Sequence, residues 1–284
     1  MALTFLAVHA HPDDEASSTG GLLRLLANEG VRTVLVTCTN GEYGDAPGGL
    51  KPTDDGHDPD EVAEMRRGEL DEAAAILGVS RLVRLGYRDS GMMGWAPNED
   101  PRSFWSTPVE LAADALGVVL AEERPQVIVT YNEVGFYGHP DHIQAHRITQ
   151  AAIERLDYEP TLYYNAIPAS VMKLYEARWA EEERRRREAD AAKGIVREAD
   201  PAEEPEGIDM ATPDELIDVS VDISSVAGAK YDALAAHHSQ IGGSFWIQQG
   251  REAFVAESTR EWFVRARNPL GLSQSASDIF VGYR

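Results

Sequence analysis

The chain has 284 residues, 26 of them basic and 48 acidic, for a formal net charge of −22; that balance repels nucleic-acid backbones and anionic membranes and argues against both as partners. Its single cysteine, Cys38, excludes an intrachain disulfide and a cysteine-based structural zinc site. The apolar start, residues 1–10, has no basic flank and is cut short by Asp13–Glu15, so it reads as a first strand and not as a signal peptide. No run approaches the ~20 apolar residues that a membrane-spanning helix needs. A cytoplasmic protein is the expectation, with homo-oligomerisation left open.

In chain order, Leu3–Val8 reads as a strand and Ser17–Glu29 as a helix with its leucines on one side. Val31–Cys38 is a second strand, rich in β-branched residues. A Gly-, Pro- and Asp-rich loop covers Asn40–Asp58, and Asp60–Leu77 is a helix. Leu82–Leu85 is a short strand, 86–107 is irregular, Val109–Glu123 is a helix and Val127–Tyr131 a strand. A helix starts near Pro140, and Thr161–Asn165 is a fifth strand. Strands alternating with helices predict an α/β, Rossmann-like fold: a mostly parallel sheet flanked by helices, with ligands at the carboxyl ends of the strands.

The remainder is less regular. Glu181–Lys193 is a charged helix with Glu–Arg pairs at i,i+4 spacing, which reads as a solvated face. Residues 198–215 are acidic and proline-bearing, a linker or cover. Leu216–Ile223 is a candidate strand and Ser224–Gln240 a helix. The expected organisation is a catalytic core over 1–170 and a smaller C-terminal part over 171–284 that closes over the site.

Two segments carry the chemistry. His11-Pro12-Asp13-Asp14-Glu15 follows the first strand, and His139-Pro140-Asp141-His142 follows the Val127–Tyr131 strand. A lone His-Pro-Asp is a common helix start, with proline at the first helical position and the carboxylate serving free amides. Two such segments, each after a strand of one parallel sheet, converge on one crevice. His11 and Asp14 are three apart, as are His139 and His142, so each pair can face one way across a helical turn. A catalytic zinc takes three protein ligands and keeps one position open. His11, Asp14 and His142 supply such a set, with Asp13 and His139 beside it for acid–base work.

Other residues read as structural. His146 suits a satisfied helix position, and His57 among Asp54, Asp55 and Asp58 suits a solvated loop. Trp95 and Trp105 either rim the site or anchor the 86–107 stretch. His237 and His238 either reach the site from the C-terminal part or pack. The run Thr19-Gly20-Gly21 is not a dinucleotide fingerprint, so the remaining rival, a nucleotide-binding Rossmann protein, lacks its glycine loop.

The segment Val8-His9-Ala10-His11-Pro12-Asp13-Asp14-Glu15, together with Gly138-His139-Pro140-Asp141-His142, resembles the LmbE-like (PIG-L) zinc-dependent N-deacetylases, with the mycothiol-pathway members nearest. The likeness extends through Thr39–Glu42, Arg66–Leu70, Arg88–Met92 and Ala236–Gln240. The resemblance implies one Zn2+ per chain, or Fe2+ or another divalent metal, on His11, Asp14 and His142. It implies Asp13 as general base and His139 as the group that steadies the oxyanion or protonates the leaving amine. Asp141 is then expected to orient His139, and Tyr137 to contact the developing oxyanion. Arg66 and Asp89 are expected to hold hydroxyls of an amino-sugar substrate, with Glu42 and His238 as further contacts. The implied reaction is removal of an N-acetyl group from an N-acetylglucosaminide. Alternatives are amidase cleavage of a larger acyl group from glucosamine and a non-hydrolytic ligand-binding member of the fold. Ser18-Thr19-Gly20-Gly21 departs from the family's usual small-residue run, and the acidic 198–215 stretch has no family counterpart.

Overall fold

A computed structural model describes residues 3–192, 210–242 and 244–284. Its elements in order are β1 (Thr4–His9), α1 (Asp14–Ser18), α2 (Gly20–Asn28), β2 (Arg32–Thr39), α3 (Pro59–Leu77), β3 (Arg81–Tyr87), α4 (Val109–Glu123) and β4 (Val127–Thr130). There follow the single turn α5 (Gly135–Gly138), α6 (Pro140–Ile153), β5 (Thr161–Pro168), α7 (Ala169–Ala192), β6 (Ala211–Thr212) and β7 (Val219–Asp222). The chain closes with α8 (Ala227–Ala236), α9 (His238–Ile241), α10 (Phe245–Gln248), α11 (Arg251–Glu257) and β8 (Arg260–Arg267). The sheet order is β3-β2-β1-β4-β5-β8-β7, with β6 paired to the end of β5. Strands β1 to β5 pair in parallel, and β8 and β7 add on antiparallel.

The order follows from burial. All six residues of β1 are buried, as a central parallel strand covered on both faces requires. Alternation sends Phe5 and Ala7 to one core with Leu22, Leu23, Leu70 and Leu77 of α2 and α3. Leu6 and Val8 go to the other core, with Leu116 and Leu120 of α4 and Ile148 of α6. Asp58 caps α3 by accepting from the amides of Asp60 and Glu61, and Gly78 ends it in the left-handed conformation. Among the described residues, no helix is long and apolar enough to cross a membrane.

The Rossmann-like reading holds, and several boundaries move. The first helix begins at Asp14 and breaks at Thr19, whose hydroxyl bonds the His9 ring at 2.9 Å. The restart at Gly20 is capped from afar: the Glu261 carboxylate accepts from the amides of Gly21 and Leu22, both at 2.9 Å. Gly21 is required there, because a Cβ would stand 2.4 Å from Ile223. The charged helix starts at Ala169, directly from β5, and forms the Glu181–Arg185 and Glu183–Arg187 pairs. The side chains of Glu182 and Arg186, all of Lys193, and residues 198–209 lie outside the described residues. The expected strand 216–223 is confined to β7, and the expected helix 224–240 divides at His237 into α8 and α9. Strand β8 had no counterpart in the sequence reading. It inserts between β5 and β7, so the last third of the chain extends the sheet that β3 begins.

Candidate active site

Strands β1 and β4 are parallel neighbours at the middle of the sheet. Their carboxyl ends therefore release His11–Glu15 and His139–His142 at one edge, the place where such sheets bind ligands. Asp14 opens α1, and Pro140 is the first residue of α6 with His139 as its N-cap.

Three donor atoms meet between these segments. Nδ1 of His11 is 3.3 Å from Oδ2 of Asp14 and 3.3 Å from Nε2 of His142, and Asp14 Oδ2 to His142 Nε2 is 3.5 Å. Ligands of a tetrahedral zinc at 2.0–2.1 Å stand about 3.3–3.4 Å apart. The set therefore fits a divalent metal by its spacing as well as by its His/His/carboxylate chemistry. A second combination of buried donors, His11, His139 and His142, also lies within ligating distance. The backbone amide of His11 donates to Asp14 Oδ2 at 2.8 Å and fixes that carboxylate. Burial opposes its ionisation, but His142 and His11 more than offset this and hold the Asp14 carboxyl well below its usual range. Tyr131 stacks flat on the His142 ring at 4.1 Å.

The carboxylate of Asp141 serves a different partner from the one expected. Its Oδ2 lies 3.3 Å from Nε2 of His11 and accepts from the Ser90 amide at 2.9 Å, while its Oδ1 accepts from the Ser90 hydroxyl. Among the described residues, His139 receives only the Asp141 backbone amide, on Nδ1, at 3.1 Å. The reason is the helix start: as N-cap, His139 turns its ring to the free amides, and the Asp141 side chain points the other way, toward β1. Burial, together with the neighbouring His11 and His142, keeps the His139 imidazole well below its ordinary pKa. With Nδ1 accepting, the proton of the neutral ring sits on Nε2. Burial works against protonation of His11, yet Asp89, Asp14 and Asp141 prevail and raise its pKa well above normal; the same field favours a metal cation.

Asp13 has φ 115°, a left-handed conformation rare outside glycine. Its amide donates to Glu15 Oε2 at 3.0 Å, and Glu15 Oε1 is 2.6 Å from Nε2 of His237. Glu15 and His237 are fully buried. From the other side Arg66 donates to Asp13 Oδ2 at 3.1 Å, to the Pro12 carbonyl and to the Gly41 carbonyl at 2.9 Å. Burial pushes the Asp13 carboxyl up to about 6, against the pull of Arg66. Tyr137 stands with its ring 4.9 Å from that of His142 and 5.9 Å from that of His139; burial first, then Asp14, keeps its hydroxyl protonated.

The cavity over these groups has a volume of about 170 Å3. Asp89 lines it, with Oδ1 accepting from the Gly91 amide at 2.8 Å and Oδ2 from the Tyr43 amide at 3.3 Å. Arg66 also lines it, though its guanidinium is already engaged by the three oxygens above. Glu42 and His238 do not line it. Glu42 is buried behind Asp89, whose amide it accepts at 2.8 Å, and the exposed side chain of His238 pairs with Glu69. The Ala236–Gln240 segment acts as a clamp: His237 holds Glu15, Ser239 holds Glu69, and Gln240 bonds both backbone groups of Asp45. Tyr43, Met92 and Trp95 form the rim. Trp105 instead packs under Arg147, His146 bonds the Tyr131 carbonyl and His57 bonds the Gly44 carbonyl. Sequence reasoning missed Ser90, Glu15 and Tyr131, although Ser90 and Glu15 sit inside the matched segments.

Residues 6–153 match the family model described as PIG-L: GlcNAc-PI de-N-acetylase. A protein of Acidothermus cellulolyticus named 1D-myo-inositol 2-acetamido-2-deoxy-alpha-D-glucopyranoside deacetylase is 38% identical over 99% of this chain and 96% of its own. A protein of the same name from Thermomonospora curvata is 42% identical over 89% of this chain and 88% of its own. The solved N,N'-diacetylchitobiose deacetylase of Pyrococcus horikoshii shares the fold, with a TM-score of 0.58 at 20% identity over 95% of this chain and 88% of that one. The match over the sheet edge that carries both histidine segments, together with relatives alike over nearly the full length, shows that this chain belongs to the PIG-L, GlcNAc-PI de-N-acetylase, family.

Proposed function

We propose that this protein is a zinc-dependent N-deacetylase that removes the acetyl group from an N-acetylglucosaminide, with an N-acetylglucosaminyl-inositol as the favoured substrate. The observation that carries this reading is the His11/Asp14/His142 donor triangle at metal-ligand spacing, with Asp13, His139 and Tyr137 facing the same small cavity. Zinc bound there supplies Lewis-acid activation of a water and of the amide carbonyl; Fe2+ or Co2+ fits the same donors.

The chain's own groups do the rest. Asp13 takes the proton of the attacking water and returns it to the leaving amine nitrogen as the C–N bond breaks. A carboxylate with a pKa near 6 suits both halves of that shuttle. His139, neutral with Nε2–H, and the protonated Tyr137 hydroxyl donate to the oxygen on which charge develops. Asp89 accepts a sugar hydroxyl at the cavity wall. Relatives at 38% and 42% identity that are named as deacetylases of an acetamido sugar linked to inositol favour acetyl over a larger acyl group.

The test is acetate release from a panel of N-acetylglucosaminides, the inositol conjugate included, by metal-loaded and chelator-stripped protein. Metal-dependent release supports the reading. No release from any member by fully loaded protein contradicts it.

A further inference from the structure

The cavity over the donor triangle measures about 170 Å3. Pockets that enclose a drug-sized ligand run from roughly 300 Å3 upward, so this one takes the acetamido sugar and leaves whatever the sugar is linked to at its mouth. Burial gives the direction. His11 and His139 are buried at the inner end, and Tyr43 and Trp95 are half-buried at the rim.

Trp95 is held firmly at that rim. Gly91 has φ 64°, and a Cβ on it would stand 2.8 Å from Cε3 of Trp95, so the indole lies directly against the Gly91 backbone. The Trp95 amide donates to the Met92 carbonyl at 3.0 Å, and the Trp95 carbonyl accepts from the Asn98 amide at 3.0 Å. The Asn98 side chain stitches the loop together. Its Nδ2 donates to the Ser90 carbonyl at 2.6 Å and to the Met92 carbonyl at 3.2 Å, and its Oδ1 accepts from the Gly94 amide at 2.8 Å. Ser90 in turn donates through its amide and hydroxyl to Asp141, the carboxylate behind His11. A continuous path of hydrogen bonds therefore sets the indole at a fixed offset from the donor triangle, the preorganisation that a specificity element needs.

The chemistry of the mouth selects the occupant. Tyr43 is fixed by its amide, which donates to Asp89 Oδ2, and by the Arg88 guanidinium 5.8 Å from its ring centroid. Among the described residues, neither the indole Nε1 of Trp95 nor the Tyr43 hydroxyl has a hydrogen-bond partner. Each side chain thus offers a flat apolar face with one polar group at its edge. A cyclic polyol is built the same way, with C–H bonds on its faces and hydroxyls around its circumference. Its face covers the indole while an edge hydroxyl accepts from Nε1.

We propose that Trp95, with Tyr43, forms the subsite for the cyclic polyol joined to the glucosamine, and that Trp95 sets the preference for it. The inference rests on the deacetylase reading and extends it to the substrate's far end. Its test is equilibrium binding of glucosaminyl-inositol and of methyl glucosaminide to the metal-loaded full chain. Both ligands lack the acyl group, so turnover plays no part. The inositol conjugate is expected to bind about tenfold tighter or more. Trp95→Ala should remove most of that preference, with the loss falling on the inositol conjugate. Trp95→Phe, which keeps a flat face without the N–H, should retain an intermediate preference. Tyr43→Leu should act in the same direction as Trp95→Ala and covers the case in which that variant loosens its loop. Equal or undetectable affinities for the two ligands in the unmodified protein, or a preference that survives both Trp95→Ala and Tyr43→Leu, overturn the subsite. An equal loss for both ligands in Trp95→Ala and in Tyr43→Leu assigns the two residues to holding the loops and overturns it as well. Failure of the deacetylase reading is separate, since absent acetate release leaves the binding preference readable.

Discussion

Oδ2 of Asp141 lies 3.3 Å from Nε2 of His11, while Nδ1 of the same ring faces Asp14 and His142. A carboxylate behind a ligating imidazole fixes its tautomer and its aim, and loss of such a partner weakens metal binding by about 10–100-fold. Asp141→Leu should therefore bind zinc more weakly by that order, measured by competition with a chromophoric chelator. Asp141→Asn, which still accepts from His11 Nε2–H, should lose less. Unchanged affinity in Asp141→Leu would separate Asp141 from the metal.

Arg66 is placed to act on Asp13, to whose Oδ2 it donates at 3.1 Å. Its guanidinium opposes the burial that raises the Asp13 carboxyl to about 6, so its removal raises that pKa further. A base works only when ionised, and its ionised fraction falls as pH drops through its pKa. Arg66→Ala should lower kcat and move the acidic limb of the pH–rate profile to higher pH. A pure rise in KM with an unmoved limb would mean that Arg66 only holds substrate.

Glu15 restrains the left-handed Asp13 from its backbone side. Glu15→Leu should lower kcat more than it raises KM, with metal content kept. Glu15→Gln should restore most of the loss, because its amide oxygen still accepts from Asp13 and its N–H donates to His237. Equal kcat in the Leu variant would assign the Glu15–His237 pair to packing alone.

How much of this was legible follows from where each signal lies. The two histidine segments are contiguous and each follows a strand whose burial is written in its side chains, so the donor triangle could be read directly. The partner of Asp141 could not, because it depends on which way a residue faces in the first helical turn. Nor could the partner of Arg66, which lies 53 residues away in Asp13. Strand β8 was hidden by its arginines and by Glu261, a carboxylate buried to cap α2 across 240 residues of sequence. His238 looked functional beside His237, yet the break between α8 and α9 turns only His237 inward.

Away from the site, Glu123 ties the starts of β2 and β3 to the end of α4 through Arg32 at 2.6 Å and Arg81 at 2.7 Å. The bond from Arg32 is the main reason its carboxyl falls to about 2 from an ordinary 4.5. A folded-state pKa below the unfolded one contributes stability in full above pH ~4.5 and loses it as pH falls through 2. Glu123→Gln should destabilise by roughly 1–2 kcal/mol at pH 7, allowing for solvent around the two arginines. Thermal melts should show that difference shrinking toward pH 2. A constant difference across that range would remove the ion pairs from the explanation.

The central claim is a division of labour between adjacent carboxylates, Asp14 on the metal and Asp13 on the water. The measurement that tests it most directly is metal content and turnover of Asp13→Ala, with Asp14→Ala and His142→Ala as companions. Asp13→Ala should keep about one divalent ion per chain and lose ~10²–10⁴-fold in kcat, the usual worth of a general base. The two companions should lose the ion first. An Asp13→Ala protein that is fully active, or one that is metal-free while Asp14→Ala stays loaded, would contradict the account.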